Sequence, residues 1–292
     1  MTEDDIPCVE AGGRERNKLG AFIFLLLLVF FLVLSYGRNI VWINELSAWK
    51  DVEVKSPRKQ RVFNSIGNAY LNMNRLDEAE TAFRAALRIE GTEMFGLHNN
   101  LGVVYYRRGM TDRAIAEYLS VIKNSPDFLA ARQNLGAAYE RLGRLDEAIK
   151  EYDRILSLEP DYGTDWQYAE VYYSRGNAYA MKGLFNKAIE DYEAALKKRP
   201  DHVMAGNNLA RSNLELGRLD IAEDELKKII VFYPDYVNAR YNMGLVYVKK
   251  GMPEEALAHF EKALALDSRH DKARLAIKEI KESLTRQVEK AP

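Results

Sequence analysis

The sequence predicts an all-α fold, a superhelical solenoid of stacked helix pairs, preceded by one N-terminal transmembrane helix. Three observations carry that expectation. Ala79, Ala114, Ala148, Ala188, Ala222 and Ala256 mark one position in a unit of about 34 residues that recurs six times between Gln60 and Ser268, and such a period is the signature of repeat architectures. Gly109, Gly143, Gly183, Gly217 and Gly251 recur where each first helix has to stop. Leu19 to Tyr36 reads "LGAFIFLLLLVFFLVLSY", eighteen residues without a charge.

Residues 1–18 form a polar tail that is expected to be disordered. Cys8 lies upstream of the apolar run, so it is not placed to carry the lipid of a lipoprotein signal. Residues 19–37 are the expected transmembrane helix. Eighteen residues at 1.5 Å each cover roughly 27 Å, against a hydrocarbon core of about 30 Å. A cleavable signal peptide has an apolar region of about 7 to 15 residues ending at small residues. Val33, Leu34, Ser35, Tyr36 and Gly37 make a poor cleavage site, so the span is expected to be retained. Arg14, Arg16 and Lys18 precede it, while Arg38 and Lys50 follow. That small excess puts the tail in the cytoplasm and the repeats on the non-cytoplasmic side of an inner membrane. The repeats contain no cysteine, which leaves that placement open.

Residues 38–58 are expected to be a juxtamembrane helix and half a repeat, because Trp49, Val52 and Pro57 stand 34 residues before Phe83, Ala86 and Gly91. Residues 59–268 hold the six full units. In each, the first helix carries a small residue (Gly67, Gly102, Gly136, Gly176, Ala210, Gly244) where a second helix can approach closely. An aromatic follows three residues on, with Asn213 the exception. The glycines just named, and Asn74 in the first unit, reach the left-handed conformation of a tight helix end. The second helix sets its alanine against the small residue and, four residues later, buries Phe83, Tyr118, Tyr152, Tyr192, Leu226 or Phe260. Pro126, Pro160, Pro200 and Pro234 close units, since proline does not continue a helix.

With "NLGAAYERLGRLDEAIKEYDRILSLEPDY" as its clearest stretch, this spacing resembles the tetratricopeptide repeat (TPR) family across most of the chain. The resemblance implies a superhelix whose first helices line a concave groove that holds a protein or peptide partner.

Ala148 and Ala188 are 40 residues apart instead of 34, the excess lying in "DYGTDWQYAEVYYSRG". A longer helix is expected there, bringing Tyr162, Trp166, Tyr168, Tyr172 and Tyr173 either to its own packing or to an aromatic docking site. Arg175 takes a position that is Ile66, Leu101, Leu135, Leu209 or Met243 in other units. It is expected to reach solvent or to meet Glu170 or Asp191, because a buried unpaired guanidinium is costly. Residues 269–292 are a capping helix and tail, with Ala273, Leu275, Ile277, Ile280 and Leu284 expected on one stripe.

Forty-two Lys plus Arg against 43 Asp plus Glu give a net charge of −1, which argues against nucleic-acid binding. His98, His202, His259 and His270 fall in different units with no metal-ligand spacing. No catalytic motif, cofactor fingerprint or phosphate loop is present, so neither an enzyme nor a cofactor is expected. Acid pairs such as Asp146 with Glu147 and Glu254 with Glu255 open second helices, where they favour the dipole.

The expected partner contacts are a column of carboxamides two residues before the small one: Asn100, Asn134, Asn208 and Asn242, with Ser65 and Ser174 in the other units. Carboxamides both donate to and accept from a peptide backbone, so the column can clamp an extended segment. It is similar to the asparagine ladder of O-linked N-acetylglucosamine transferases, although asparagine here also serves hydrogen bonds between repeats. Tyr173 and Tyr241 flank it, Arg107, Arg141, Arg211 and Lys249 lie further along the same helices, and Trp166 stands on the insertion. The basic residues suggest an acidic peptide or a C-terminal carboxylate as ligand.

Finally, "RNIVWINELSAWKDVEVKSPRKQRVFNSIGNAY", after an apolar span and before the repeats, resembles the junction in transmembrane-and-TPR membrane glycosyltransferases related to protein O-mannosyltransferases. That resemblance implies repeats outside the cytoplasm and a possible multi-span glycosyltransferase partner. The chain lacks the other spans and the acidic catalytic loop. The expected function is a membrane-anchored scaffold for an envelope assembly. The alternatives are an accessory or detached subunit of such a transferase and a cytoplasm-facing assembly or quality-control adaptor.

Overall fold

The computed structural model describes residues 25–32, 44–89, 94–158 and 164–289, and every regular element among them is a helix. They fall into two compact units, one ending at Arg108 and one beginning at Gly109.

The first unit contains α1 (25–32), α2 (Glu45–Lys55), α3 (Gln60–Asn72), α4 (Leu76–Leu87) and α5 (Met94–Arg107). All of 25–32 is exposed. The expected span 19–37 extends beyond these residues on both sides and so lies largely outside the described ones. Among the described residues no helix is long and apolar enough to cross a membrane. Helix α2 starts at a capping box in which Asn44 Oδ1 accepts from the Ser47 amide at 2.9 Å. It packs on α3 with Trp49 and Val52 half-buried.

The second unit contains α6 (Thr111–Asn124), α7 (Leu129–Arg141), α8 (Leu145–Leu156), α9 (Asp165–Met181), α10 (Phe185–Lys198), α11 (Val203–Glu215), α12 (Leu219–Phe232), α13 (Val237–Lys249), α14 (Pro253–Leu266) and α15 (Asp271–Glu289). Each helix packs on the next, and α7 also touches α9, α9 touches α11, and α11 touches α13. This nearest-neighbour pattern is that of a solenoid.

The turn chemistry follows the sequence pattern. Asn74 has φ 57° and Gly143 φ 72°, with Gly109, Gly183, Gly217 and Gly251 alike. The residue after the turn donates back to the carbonyl of the aromatic column, as Arg144 N does to Tyr139 O at 2.9 Å. This closes a Schellman motif.

The close approach at the small residue has a different partner from the one the repeat pattern suggested. The aromatic of the second helix, rather than its alanine, lies on the glycine. A Cβ on Gly136 would sit 2.6 Å from Tyr152 Cε1, and one on Gly176 would sit 2.8 Å from Tyr192 Cε1. The pairs Gly67 with Phe83 and Gly244 with Phe260 are the same. The fifth unit confirms the size rule: Ala210 replaces glycine and Leu226 replaces the ring, both in one buried cluster.

The insertion lengthens α9 to 17 residues, against 13 in α7 and α11. A capping box at Thr164 and Gln167 starts it. Tyr168 is buried, and Tyr172 and Tyr173 pack on the cluster around Tyr192, so these rings pack their own helix; Tyr162 lies outside the described residues. Arg175 meets Asp191 through two parallel hydrogen bonds of 2.6 and 2.9 Å and Asp153 through a third of 2.6 Å. Burial works against its charge, but the bonds to Asp191 and then Asp153 outweigh that and raise its pKa.

At the far end Ala273, Ile277 and Ile280 of α15 cover the cluster of Ala256, Phe260 and Ala263. Leu275 was expected on that stripe but is exposed, because two residues from Ala273 turn it about 200° to the other side.

Candidate partner-binding site

The carboxamide column is largely occupied by bonds between neighbouring first helices. In the first unit Asn100 Nδ2 donates to Asn64 Oδ1 at 3.0 Å and to Asn68 Oδ1 at 3.1 Å. In the second, Asn242 is buried and donates to Asn207 Oδ1 at 2.9 Å, and Asn207 donates to Asn208 Oδ1 at 3.3 Å. Asn208 Nδ2 then donates to Asn177 Oδ1 at 2.8 Å. Asn134 is half-buried on α7. The column therefore knits repeats together, which is the structural alternative to a ladder open to ligand.

Two members of the basic column are similarly engaged. Arg107 Nη1 donates to the Leu71 carbonyl at 2.8 Å, and Lys249 Nζ to the Leu214 carbonyl at 3.0 Å. Both cap the end of the preceding first helix, where cations are favoured. Arg141 is exposed at the end of α7. Tyr173 and Tyr241 pack their rings at a tilt on neighbouring imidazoles: Tyr173 on buried His202 at 4.7 Å, Tyr241 on half-buried His270 at 4.8 Å. Trp166 is 59% exposed, with the Arg199 guanidinium 5.8 Å from its ring centre.

What remains open is a cleft in the second unit of about 460 Å³, lined by Glu140 of α7, Asn177 and Met181 of α9, Phe185 and Tyr192 of α10, and residues of α11 including Asn208, Arg211 and Glu215. Tyr192 lines it, and Tyr152 reaches its wall through the lining Glu140; each ring lies on the glycine of its partner helix. Tyr152 donates to Glu140 Oε1 at 2.7 Å and Tyr192 to Asn177 Oδ1 at 2.8 Å. Burial, then the neighbouring Tyr173, raises the Tyr192 pKa, so this phenol stays protonated.

With Tyr192 and Asn208 both donating to it, Asn177 Oδ1 has used its two lone pairs. Its amino group makes no hydrogen bond among the described residues and is available to a carbonyl. Glu140 is half-buried, and burial raises its pKa against the opposing Tyr152 hydrogen bond. Met181 is 60% exposed at the same cleft.

Neither Glu140 nor Asn177 belongs to the columns that the sequence singled out. Their signal was the hydroxyl: Tyr152 and Tyr192 stand where Phe83, Leu226 and Phe260 fill the same space without one. A second cleft of about 330 Å³, lined by Pro200, Val203, Ile229, Phe232 and buried His202, is more apolar. Among the described residues no group of His, Cys, Asp and Glu is placed to hold a metal.

Models described as Tetratricopeptide repeat match residues 64–127, 127–201, 173–237 and 237–270. The chain belongs to the tetratricopeptide repeat family. Repeats of this family hold protein or peptide partners, and the matched models carry no catalytic assignment. No curated protein matches the TPR chain. Among solved structures it is similar to the APC/C hetero-tetramer Cut9–Hcn1, with 20% identity, a TM-score of 0.67 and 81% of this chain covered. The chain spans 46% of the length of that relative. It is similar also to MamA, with 27% identity and a TM-score of 0.52 over 62% of this chain and 95% of MamA. A third likeness is YrrB, described as a TPR protein with an unusual peptide-binding site, with 21% identity and a TM-score of 0.54 over 68% of this chain and 99% of that one.

Proposed function

We propose that this TPR protein is a scaffold that captures an extended segment of a protein partner in the cleft between α7, α9, α10 and α11. The observation that carries the proposal is the Asn177 amino group, left without a bond among the described residues at the wall of an open cleft whose other carboxamide, Asn208, is bonded to Asn177 Oδ1. A donor so placed suits a peptide carbonyl. YrrB, which shares the fold and has an unusual peptide-binding site, supports the reading.

The scaffold is further proposed to act at a membrane, held by residues 19–37 with its repeats on the non-cytoplasmic side, in an envelope assembly. The eighteen uncharged residues of Leu19 to Tyr36 support the anchor, and Arg14, Arg16 and Lys18 support the orientation. A second reading, an accessory subunit of a multi-span membrane glycosyltransferase, is favoured by the junction sequence from Arg38 to Tyr70. Crosslinking and pull-down from native membranes tests both by naming the partner: a many-span transferase selects the second reading, a secretion or envelope component the first. Protease added to spheroplasts is expected to degrade the repeats. Their protection there, with degradation only after lysis, would instead make the protein a cytoplasm-facing adaptor.

A further inference from the structure

We infer that the cleft takes a lysine or arginine side chain of the bound segment, with Glu140 as its counter-ion; the inference rests on the cleft being the partner site. Glu140 differs from other shielded carboxylates of the second unit. Glu151 holds Arg132, Asp191 holds Arg175, Glu170 holds Arg199, and Glu223 holds Lys250. Glu140 holds no cation among the described residues and accepts one hydrogen bond, from Tyr152. A carboxylate has about four acceptor positions, so most of its capacity is unused. Shielding an acid without a counter-charge is costly, and every comparable acid named here avoids that cost.

The surroundings fit a long cationic side chain. Met181 and Phe185 line the same cleft and can cover an aliphatic stem, while the charged head reaches Glu140. Arg211 and Glu215, on α11 one turn apart, are the other charged lining residues and are exposed. The lining thus carries two carboxylates against one guanidinium. Asn177 offers its amino group to the carbonyl of the segment that presents the side chain. With two carboxylates against the one guanidinium of Arg211, this cleft prefers the opposite charge from the acidic ligand that the basic column suggested; Arg107 and Lys249 of that column do not line it.

The test is capture of a random synthetic peptide library, N-terminally acetylated, on the full-length chain in detergent, followed by sequencing. The recovered peptides are expected to share a Lys or Arg at one register. Glu140→Gln, which keeps the acceptor for Tyr152, is expected to retain helicity and melting temperature and to bind the recovered peptides roughly tenfold or more weakly. Asn177→Ala is expected to reduce capture of every sequence. Recovered peptides without a basic residue, or a basic preference that survives Glu140→Gln, would overturn the inference while leaving the proposed function standing. A parallel library with free N-termini that is preferred irrespective of basic residues would overturn the side-chain assignment in favour of a terminal ammonium. If the wild-type chain captures no peptide, the inference and the proposed function both fail.

Discussion

Substituting Gly136 by alanine tests the packing that builds the cleft. The added Cβ would lie 2.6 Å from Tyr152 Cε1, 2.7 Å from Cζ and 3.0 Å from the hydroxyl oxygen. Ordinary carbon contacts are about 3.5–4.0 Å, so the ring must move by about an ångström. Tyr152 is 1% exposed, so its ring moves only against packed neighbours. Overpacking of this kind costs about 1–3 kcal/mol, and moving the ring also strains its 2.7 Å bond to Glu140, worth about 1 kcal/mol. Alanine returns about 1 kcal/mol through helix propensity, leaving a net loss of about 1–3 kcal/mol. Gly96→Ala is the internal control. Among the described residues nothing lies within 4 Å of its added Cβ, so it is expected to stabilise α5 by about 0.5–1 kcal/mol. Urea unfolding followed by far-UV circular dichroism measures both. A Gly136→Ala protein as stable as wild type would refute the claim that the glycine exists to seat the tyrosine.

Other substitutions separate structural from binding roles. Arg175→Met strands the buried Asp191 carboxylate and is expected to cost about 3–5 kcal/mol, while Arg175→Met with Asp191→Leu restores most of it; thermal melts of both check this. Asn242→Ala removes the donor to buried Asn207 and is expected to cost about 1–3 kcal/mol without changing partner capture in a pull-down. Hydrogen bonds from Lys227 and Lys250 lower the Glu223 pKa to about 2. With an unfolded value of about 4.3, the stabilisation is full above that pH and is lost as pH falls towards about 2. Lys250→Ala should flatten that part of an acid-unfolding curve.

The fold was legible because packing repeats. A glycine, its aromatic and a positive-φ turn recur at fixed offsets, and the correction at Gly136 changes which side chain fills the gap, not where the gap is. Reading by columns was less suited to the site. Asn100, Asn208 and Asn242 find their partners on the preceding first helix, some 31 to 36 residues back. A column aligned with itself does not show that amino groups in it already bond between repeats. Glu140 and Asn177 sit at different offsets in their units and share one cleft because α7 and α9 are neighbouring first helices. Arg175 was partly legible: a guanidinium at an apolar position demands an acid, and Asp191 was one of two named.

The most direct measurement is a photo-crosslink from the cleft in intact cells. A photoreactive phenylalanine analogue at Met181, 60% exposed on the cleft, is compared with one at Phe232, 77% exposed on the other cleft. The account predicts a discrete partner adduct from Met181 that disappears with Asn177→Ala, and none from Phe232. An adduct from Phe232 alone, with Met181 silent, would contradict it.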